Sequence, residues 1–202
     1  DFSLKSYVTD HKTIHLVGIG GVSMSPLAEV LHDAGLDIRC SDMAESSNTL
    51  TLRERGIPIH IGHSADNVTD DISFVIRTAA VHDDNPEVHE AHRRGIPVFE
   101  RTQAWGALMR GYQNALCISG THGKTTTTSM CTHIMMAAEK DPTVMIGGTL
   151  PLLKACHRVG KGNTIIMESC EYYNSFLALN PTIAVVLNIE ADHLDFFKDI
   201  DD

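Results

Sequence analysis

The sequence lacks the features that typically place a protein in a membrane or in an oxidising compartment. It contains no run of about 18 apolar residues and no basic segment followed by an apolar one, so it predicts neither a membrane span nor an export signal. The five cysteines are odd in number and include no CxxC pair, which indicates free thiols in a reducing cytosol. We therefore expect a cytoplasmic protein with no membrane partner.

Basic residues are also scarce. The chain has 16 Lys and Arg against 26 Asp and Glu, which gives a formal net charge of -10. This balance argues against a nucleic-acid partner, because a phosphate backbone needs a basic face. It does not exclude a nucleotide ligand, which needs only a few local cations and backbone amides. The 202 residues, 43% of them hydrophobic, suffice for one large domain or two small ones with a real core.

Apolar runs rich in β-branched residues alternate with amphipathic stretches, a pattern typical of a parallel sheet covered by helices. Strands are predicted at 13–18, 37–41, 57–61, 72–76, 96–99, 115–119, 144–146, 164–168 and 183–189, and helices after Gly21 and at 50–55, 85–94, 102–109 and 124–138. The order strand, glycine loop, helix occurs twice, about a hundred residues apart. We therefore expect two α/β domains, at 1–111 and 112–202, with the second one incomplete.

The second glycine loop is the strongest functional signal, and it reads Gly120, Thr121, His122, Gly123, Lys124, Thr125 and Thr126. Glycines let backbone amides face phosphate oxygens, and the following helix adds roughly half a positive charge at its N-terminus. Lys124 would reach the β- and γ-phosphates, and the Thr125 hydroxyl could bind Mg²⁺. The spacing is shorter than GxxxxGK[ST], whose first glycine would fall at Ile118. A capped helix with a solvated lysine is the alternative, but the strand–loop–helix order favours ATP.

The first glycine loop also indicates a nucleotide, with less specificity. Gly18 and Gly20 fit the first two glycines of GxGxxG, Ser23 stands in the third place, and Asp42 ends the second predicted strand. Dinucleotide enzymes carry an acid at that point for the ribose hydroxyl. On these residues alone an NAD-dependent oxidoreductase remains open.

Several segments, in this order, resemble the Mur ligase family. They are GIGGVSMS from Gly18, CSD ending at Asp42, IGH ending at His63, GTHGKTTT from Gly120, ESCEY from Glu168 with SFL after it, and NIEADHLD from Asn188. The resemblance covers essentially the whole chain. It implies a Rossmann-like, parallel-sheet N-terminal domain followed by a truncated P-loop ATPase-type α/β domain.

The same resemblance assigns roles to residues. It implies that Lys124, Glu168 and His193 are catalytic, that Thr125 and Glu168 hold the Mg²⁺ on the ATP phosphates, and that His193 helps a second magnesium ion. Residues 120–126 would bind ATP. The UDP-sugar would lie against the first loop, with these residues lining it: Gly18, Gly20, Gly21, Ser23, Met24, Ser25, Asp42 and His63. The family usually has Asp where this chain has Cys170, which argues against a metal role at that position.

The implied reaction is the ATP-dependent joining of L-alanine to UDP-N-acetylmuramate through an acyl phosphate, in peptidoglycan synthesis. Three alternatives stay open: a murein-peptide-recycling ligase of the same family, the NAD-dependent oxidoreductase, and a non-catalytic nucleotide-binding module. The chain has no initiator Met and stops in the acidic run 199–202. We expect it to be the front part of a longer ligase that binds the UDP-sugar, and ATP weakly, but does not catalyse ligation by itself.

Two smaller expectations concern helices. Ser25 is predicted to cap the first helix, with Pro26 at its first position, because proline is tolerated there. Met130, Met135 and Met136 are predicted to fill the core under the helix that follows the ATP loop.

Overall fold

A computed structural model describes residues 13–201, without the side chains of Tyr172 and Tyr173. The chain forms two compact units that divide between Ala104 and Trp105. Each unit contains a five-stranded sheet with helices, so the predicted α/β class is confirmed. The domain boundary predicted at 111 stays a prediction, and residues 1–12 and Asp202 of the predicted domains lie outside the described residues.

The first unit is built on a wholly parallel sheet in the order β3-β2-β1-β4-β5. Its strands are β1 (Thr13–Val17), β2 (Ile38–Asp42), β3 (Ile59–Ile61), β4 (Ile72–Arg77) and β5 (Val98–Glu100). Every residue of β1 is buried, as expected for a central strand covered on both faces. The first glycine loop leaves the carboxyl end of this strand.

Helices α1 (Ser25–Asp33), α2 (Ser47–Glu54), α3 (Pro86–Arg93) and α4 (Arg101–Met109) follow the strands, with a short 3₁₀ turn at Ala65–Asn67. The prediction that Ser25 caps α1 is wrong. Ser25 is the first helical residue and Pro26 the second, Met24 is the cap position, and the Ser25 hydroxyl donates to the carbonyl of Ile19 at 3.0 Å. The hydroxyl therefore ties the glycine loop to the helix instead of capping it.

The second unit has the strand order β10-β6-β9-β7-β8. Its strands are β6 (Asn114–Ser119), β7 (Thr143–Leu150), β8 (Ala155–Arg158), β9 (Thr164–Glu168) and β10 (Ile183–Val186). All pairs are parallel except β7 with β8, which is antiparallel and was not predicted. A 3₁₀ helix at Tyr172–Ala178 separates β9 from β10.

Helix α5 (Lys124–Ala137) begins directly after the second glycine loop and packs on the sheet. Thr128 and Thr132 are fully buried, and Met135 packs on the cluster around Val144. The prediction of a core role is wrong for Met130, which is 53% exposed. Within the described chain, no helix has the length and apolar character that crossing a membrane requires.

Gly106 in α4 and the end of the 3₁₀ helix at Ala178, both within the second unit, make a close backbone contact. A Cβ atom at Gly106 would overlap the carbonyl oxygen of Ala178, whereas one at Gly111 would meet its nearest atom, the Leu108 oxygen, at 3.2 Å. We expect Gly106→Ala to lower the free energy of unfolding by about 2 kcal/mol, because the added methyl must move main chain. Gly111→Ala should cost much less. Urea denaturation of both variants measures the difference, and equal losses would contradict this packing.

Candidate functional site

The second glycine loop joins β6 to α5 with two residues in the left-handed region. Gly120 has φ 133° and Gly123, at the start of α5, has φ 86°. A Cβ atom at Gly120 would lie 3.0 Å from the carbonyl oxygen of Asn188. Glycine is therefore required at Gly120 both by its backbone conformation and by the segment that follows β10.

Asn188 fixes this loop from the side. Its Oδ1 accepts a hydrogen bond from the His122 amide at 2.8 Å, and its Nδ2 donates to the His122 carbonyl at 3.0 Å. The Thr121 amide donates to the Asn188 carbonyl at 3.2 Å. One side chain thus satisfies both polar groups of the His122 backbone. Sequence reasoning assigned no role to Asn188, although it opens a segment that resembles the family.

Lys124 folds back over its own loop. Its Nζ lies 2.5 Å from the Gly120 carbonyl, 3.3 Å from that of Thr121, and 3.2 and 3.3 Å from the two carboxylate oxygens of Glu171. The ammonium group is therefore satisfied by oxygens at the point where a phosphate-binding lysine is expected. Glu171 is a site residue that the sequence analysis missed.

Thr125 and Glu168 lie side by side. The Thr125 hydroxyl donates to Glu168 Oε2 at 3.1 Å, and the Gly147 amide donates to Oε1 at 2.6 Å. Neighbouring strands β6 and β9 are parallel, so the loop after one and the last residue of the other meet at the same sheet edge. A hydroxyl and a carboxylate are the oxygen donors that Mg²⁺ prefers, so this pair fits the ion that the sequence predicted.

His193 lies beside Glu171 and not in the Thr125–Glu168 pair. It has φ 51°, and its Nε2 is 3.7 Å from Glu171 Oε1. The three residues Cys170, Glu171 and His193 bring one ligand atom each within 4.8 Å of one another. The structure thus places His193 beside Glu171, whereas Thr125 and Glu168 form their own pair. A cavity of about 380 Å³ opens next to these groups, lined in part by Gly120, Thr121, Glu171, Asn188, Asp192 and Phe197.

The first glycine loop is hydrogen-bonded to the carboxylate of Asp42. The Gly20 amide donates to Asp42 Oδ2 at 2.7 Å, and Asn48 Nδ2 donates to the Gly20 carbonyl at 2.8 Å. Gly18 has φ 82°, and a Cβ atom on it would lie 2.5 Å from a carbon of Thr78. Asp42 therefore stabilises the loop itself, and this use was not expected from the sequence.

The other predicted residues of this loop differ in exposure. Met24 and Ser25 are buried, whereas Gly21 and Ser23 are not. Arg101 donates a hydrogen bond to the Ser23 hydroxyl. The side chains of Ser23 and Arg101 are therefore accessible to a ligand at this loop, whereas those of Met24 and Ser25 are not.

Behind the first loop, Glu87 of α3 is fully buried and accepts several hydrogen bonds. Ser41 Oγ lies 2.5 Å from Oε2, Asn67 Nδ2 lies 2.5 Å from Oε1, and His15 Nε2 lies 3.3 Å from Oε2. His63, which the sequence placed at the UDP-sugar site, has its Nδ1 3.5 Å from the same carboxylate. Glu87 thus links β1, β2 and the segment after β3.

The pKa of Glu87 reflects two opposing effects. Burial raises it, because a charged carboxylate loses its hydration, but hydrogen bonds from His15, Ser41 and Asn67 favour the charged form. The net result is a pKa of about 2, against an ordinary value of 4.5. Glu87 is therefore ionised at neutral pH despite its burial.

Comparison with known proteins also divides the chain into two parts. The family model described as Mur ligase family, catalytic domain, matches residues 13–113, half of the chain, and the Mur ligase middle domain matches residues 118–202. The chain belongs to the Mur ligase family. The predicted family is thereby confirmed.

Individual relatives in this family are similar over nearly the whole chain. The UDP-N-acetylmuramate–L-alanine ligase of Agathobacter rectalis is 50% identical over 94% of this chain and 41% of its own length. The ligase of the same name from Clostridium botulinum (strain Loch Maree) is 48% identical over 95% of this chain and 42% of its own length. The chain thus spans about two fifths of the length of these curated relatives.

Solved structures of Mur ligases share this fold. The UDP-N-acetylmuramate-alanine ligase of Thermotoga maritima superimposes with a TM-score of 0.78 and 37% identity, over 91% of this chain and 43% of the other. The UDP-N-acetylmuramate:L-alanyl-gamma-D-glutamyl-meso-diaminopimelate ligase of Neisseria meningitides gives 0.80 with 24% identity, over 94% and 64%. At that identity the second likeness concerns the fold alone.

The low pKa of Glu87 gives this Mur ligase chain a pH-dependent stability. A carboxylate with a lowered folded-state pKa stabilises the fold above its unfolded value of 4.5, and the contribution disappears as the pH falls towards about 2. The difference corresponds to about 3 kcal/mol. Glu87→Gln should lose about that amount at pH 7 and progressively less as the pH falls below 4.5, measured by chemical denaturation.

The exposed Glu54 provides the matched control for this measurement. Glu54→Gln should change the free energy of unfolding by less than about 0.5 kcal/mol, since it breaks no buried contact. A Glu87→Gln deficit that is the same at pH 7 and at pH 3 would show that the buried charge is not its source.

Proposed function

We propose that this chain serves in the ATP-dependent ligation of L-alanine to UDP-N-acetylmuramate in peptidoglycan synthesis. The observation that carries the proposal is the pairing of Thr125 with Glu168 at 3.1 Å, beside a glycine loop whose lysine lies in place. This arrangement supports a site for nucleotide phosphates and magnesium. The 50% identity to a UDP-N-acetylmuramate–L-alanine ligase supports this substrate pair.

Ligation of this kind must bring an anionic carboxylate to an anionic phosphate, and the described residues can reduce that repulsion. The Lys124 ammonium group now contacts the Glu171 carboxylate. Rotation of the flexible lysine side chain would suffice to bring it onto phosphate oxygens instead. Thr125 and Glu168 would hold Mg²⁺, which when bound neutralises phosphate charge. The N-terminus of α5 contributes further positive potential at the same place.

The two units divide the substrates between them in this proposal. The first loop, with Gly18, Gly20 and Ser23 at its surface, would receive the diphosphate of the UDP-sugar, and His63 would line the same site. The second loop would receive ATP. Remote binding of the uridine nucleotide would orient the muramoyl carboxylate for reaction.

The proposal also includes a cytoplasmic location, which the five free cysteines support because free thiols persist in a reducing compartment.

The NAD-dependent alternative is weakened by Asp42. Both oxygens of Asp42 already accept a backbone amide, Oδ2 from Gly20 and Oδ1 from Ala44 at 3.2 Å, which leaves fewer acceptor sites for ribose hydroxyls. The oxidoreductase hypothesis also leaves the second loop unexplained. A murein-peptide ligase has the same fold, but its solved representatives are 24% and 22% identical to this chain.

The role of Lys124 is tested by nucleotide binding. Lys124→Ala should weaken a non-hydrolysable ATP analogue at least tenfold, about 1.4 kcal/mol, because the mobile charge for the phosphates is lost. Affinity for UDP-N-acetylmuramate should stay unchanged. Isothermal titration calorimetry of the 202-residue chain measures both. The exposed Lys140 gives the control Lys140→Ala, and loss of both ligands from folded Lys124→Ala would contradict separate sites.

The proposed magnesium ligands are tested with Mn²⁺, which electron paramagnetic resonance detects directly. Thr125→Val and Glu168→Gln should each weaken Mn²⁺ binding in the presence of the ATP analogue by tenfold or more, because each removes an oxygen donor. Thr127→Val, two residues along the same helix, should bind Mn²⁺ normally. If the first two variants also bind Mn²⁺ normally, the metal lies elsewhere.

A further inference from the structure

The segment after β9 carries three potential metal ligands of different chemistry. Cys170 is exposed and reduced, Glu171 and His193 are half-buried, and their ligand atoms lie within 4.8 Å of one another. Among the described residues, these three are the potential metal ligands that lie this close together. The cavity beside the ATP loop reaches Glu171, so an ion from solvent has access to the cluster.

The donor set favours a borderline-soft cation over a hard one. Thiolate, imidazole and carboxylate together are typical ligands of Zn²⁺ or Co²⁺, whereas Mg²⁺ prefers oxygen alone. With metal–ligand bonds of about 2.0 to 2.3 Å, tetrahedral donors lie roughly 3.3 to 3.8 Å apart. His193 Nε2 and Glu171 Oε1 are already 3.7 Å apart. Small side-chain rotations would bring the Cys170 sulfur into the same geometry.

We propose that Cys170, Glu171 and His193 form a site for a thiophilic divalent cation such as Zn²⁺, and that this cation competes with Lys124 for the Glu171 carboxylate. The site is distinct from the Thr125–Glu168 pair, which has oxygen donors alone. Three protein ligands leave a fourth tetrahedral position for water. Binding to this site does not require that the proposed ligase function be correct.

The competition follows from the position of Lys124. Its Nζ contacts both Glu171 oxygens, at 3.2 and 3.3 Å, and its side chain is only 16% exposed. A divalent cation on Glu171 Oε1 would lie within a few ångströms of this ammonium group, where two positive charges repel strongly. The metal therefore binds only when Lys124 leaves the carboxylate. Removing the lysine charge should accordingly strengthen metal binding.

Cobalt titration of the 202-residue chain tests the site, because Co²⁺ reports its own ligands. We expect a near-ultraviolet thiolate-to-cobalt charge-transfer band and visible bands of tetrahedral intensity, saturating at one ion per chain. Cys170→Ser should abolish the charge-transfer band. Cys156→Ser is the matched control, since Cys156 Sγ lies 3.9 Å from His157 Nδ1 but belongs to no such three-residue cluster. Loss of the band in Cys156→Ser, with retention in Cys170→Ser, overturns the assignment.

Affinity measurements separate this site from a single reactive thiol. Zn²⁺ competing against Co²⁺ should bind at least tenfold more weakly to Glu171→Gln and to His193→Gln, and at least threefold more tightly to Lys124→Ala. Millimolar Mg²⁺ should leave the cobalt bands unchanged. Unaltered affinity in the first two variants, weaker binding in Lys124→Ala, or displacement by Mg²⁺ would each refute the proposal. Far-ultraviolet circular dichroism checks that every variant is folded.

These titrations contain no nucleotide, so their result is independent of whether the second loop binds ATP. A chain that binds cobalt as described but no ATP analogue would uphold the metal site and contradict the proposed function. The reverse result would uphold the proposed function and refute the metal site.

Discussion

The second unit depends on the parallel pairing of β6 with β9. The register sets Ile118 opposite Glu168, so the chain leaves β6 for the glycine loop just where the acid ends the neighbouring strand. The Gly147 amide from β7 then fixes the carboxylate, and a side chain at Gly147 would approach Glu168 within 2.7 Å. Residues from three strands thus fix the Glu168 carboxylate beside the second glycine loop. The helix α5 and its dipole start from the same point.

Acidic side chains organise both loops. Asp42 receives an amide of the first loop, Glu87 connects the strands beneath it, and Glu171 pairs with the lysine of the second loop. Although the chain has a net charge of -10, the acids nearest the two loops are occupied with hydrogen-bond donors of the loops. Backbone amides and the N-terminus of a helix lie at both loops, and the second loop adds Lys124, which are the groups that anion sites use.

Sequence patterns predicted most of the fold because strand, loop and helix alternate with clear periodicity. Gly18, Gly120 and Gly123 also have positive φ angles, which glycine adopts without strain. The antiparallel β8 was missed because its short sequence ACHR has no apolar alternation. Met130 was assigned to the core because a helix pattern does not show that only one face of α5 meets the sheet.

Long-range polar contacts were beyond prediction for a different reason. Glu87 lies 72 residues from His15 and 46 from Ser41, and a glutamate in the first turn of a helix ordinarily indicates a solvated end. The Lys124–Glu171 pair spans 47 residues, and nothing in the local sequence distinguishes Glu171 from its neighbours. Burial and pairing of this kind become visible only when the sheet brings distant segments together.

Strand β10 lies at the edge of the described sheet, with Ile183 and Val186 half exposed or more. The segment after it contacts the second glycine loop through Asn188, whose side chain makes two hydrogen bonds with the backbone of His122. The edge strand is therefore connected to the second glycine loop by hydrogen bonds. A partner segment that bent this edge would therefore act on the shape of the loop through Asn188 and its neighbours, without touching the loop itself.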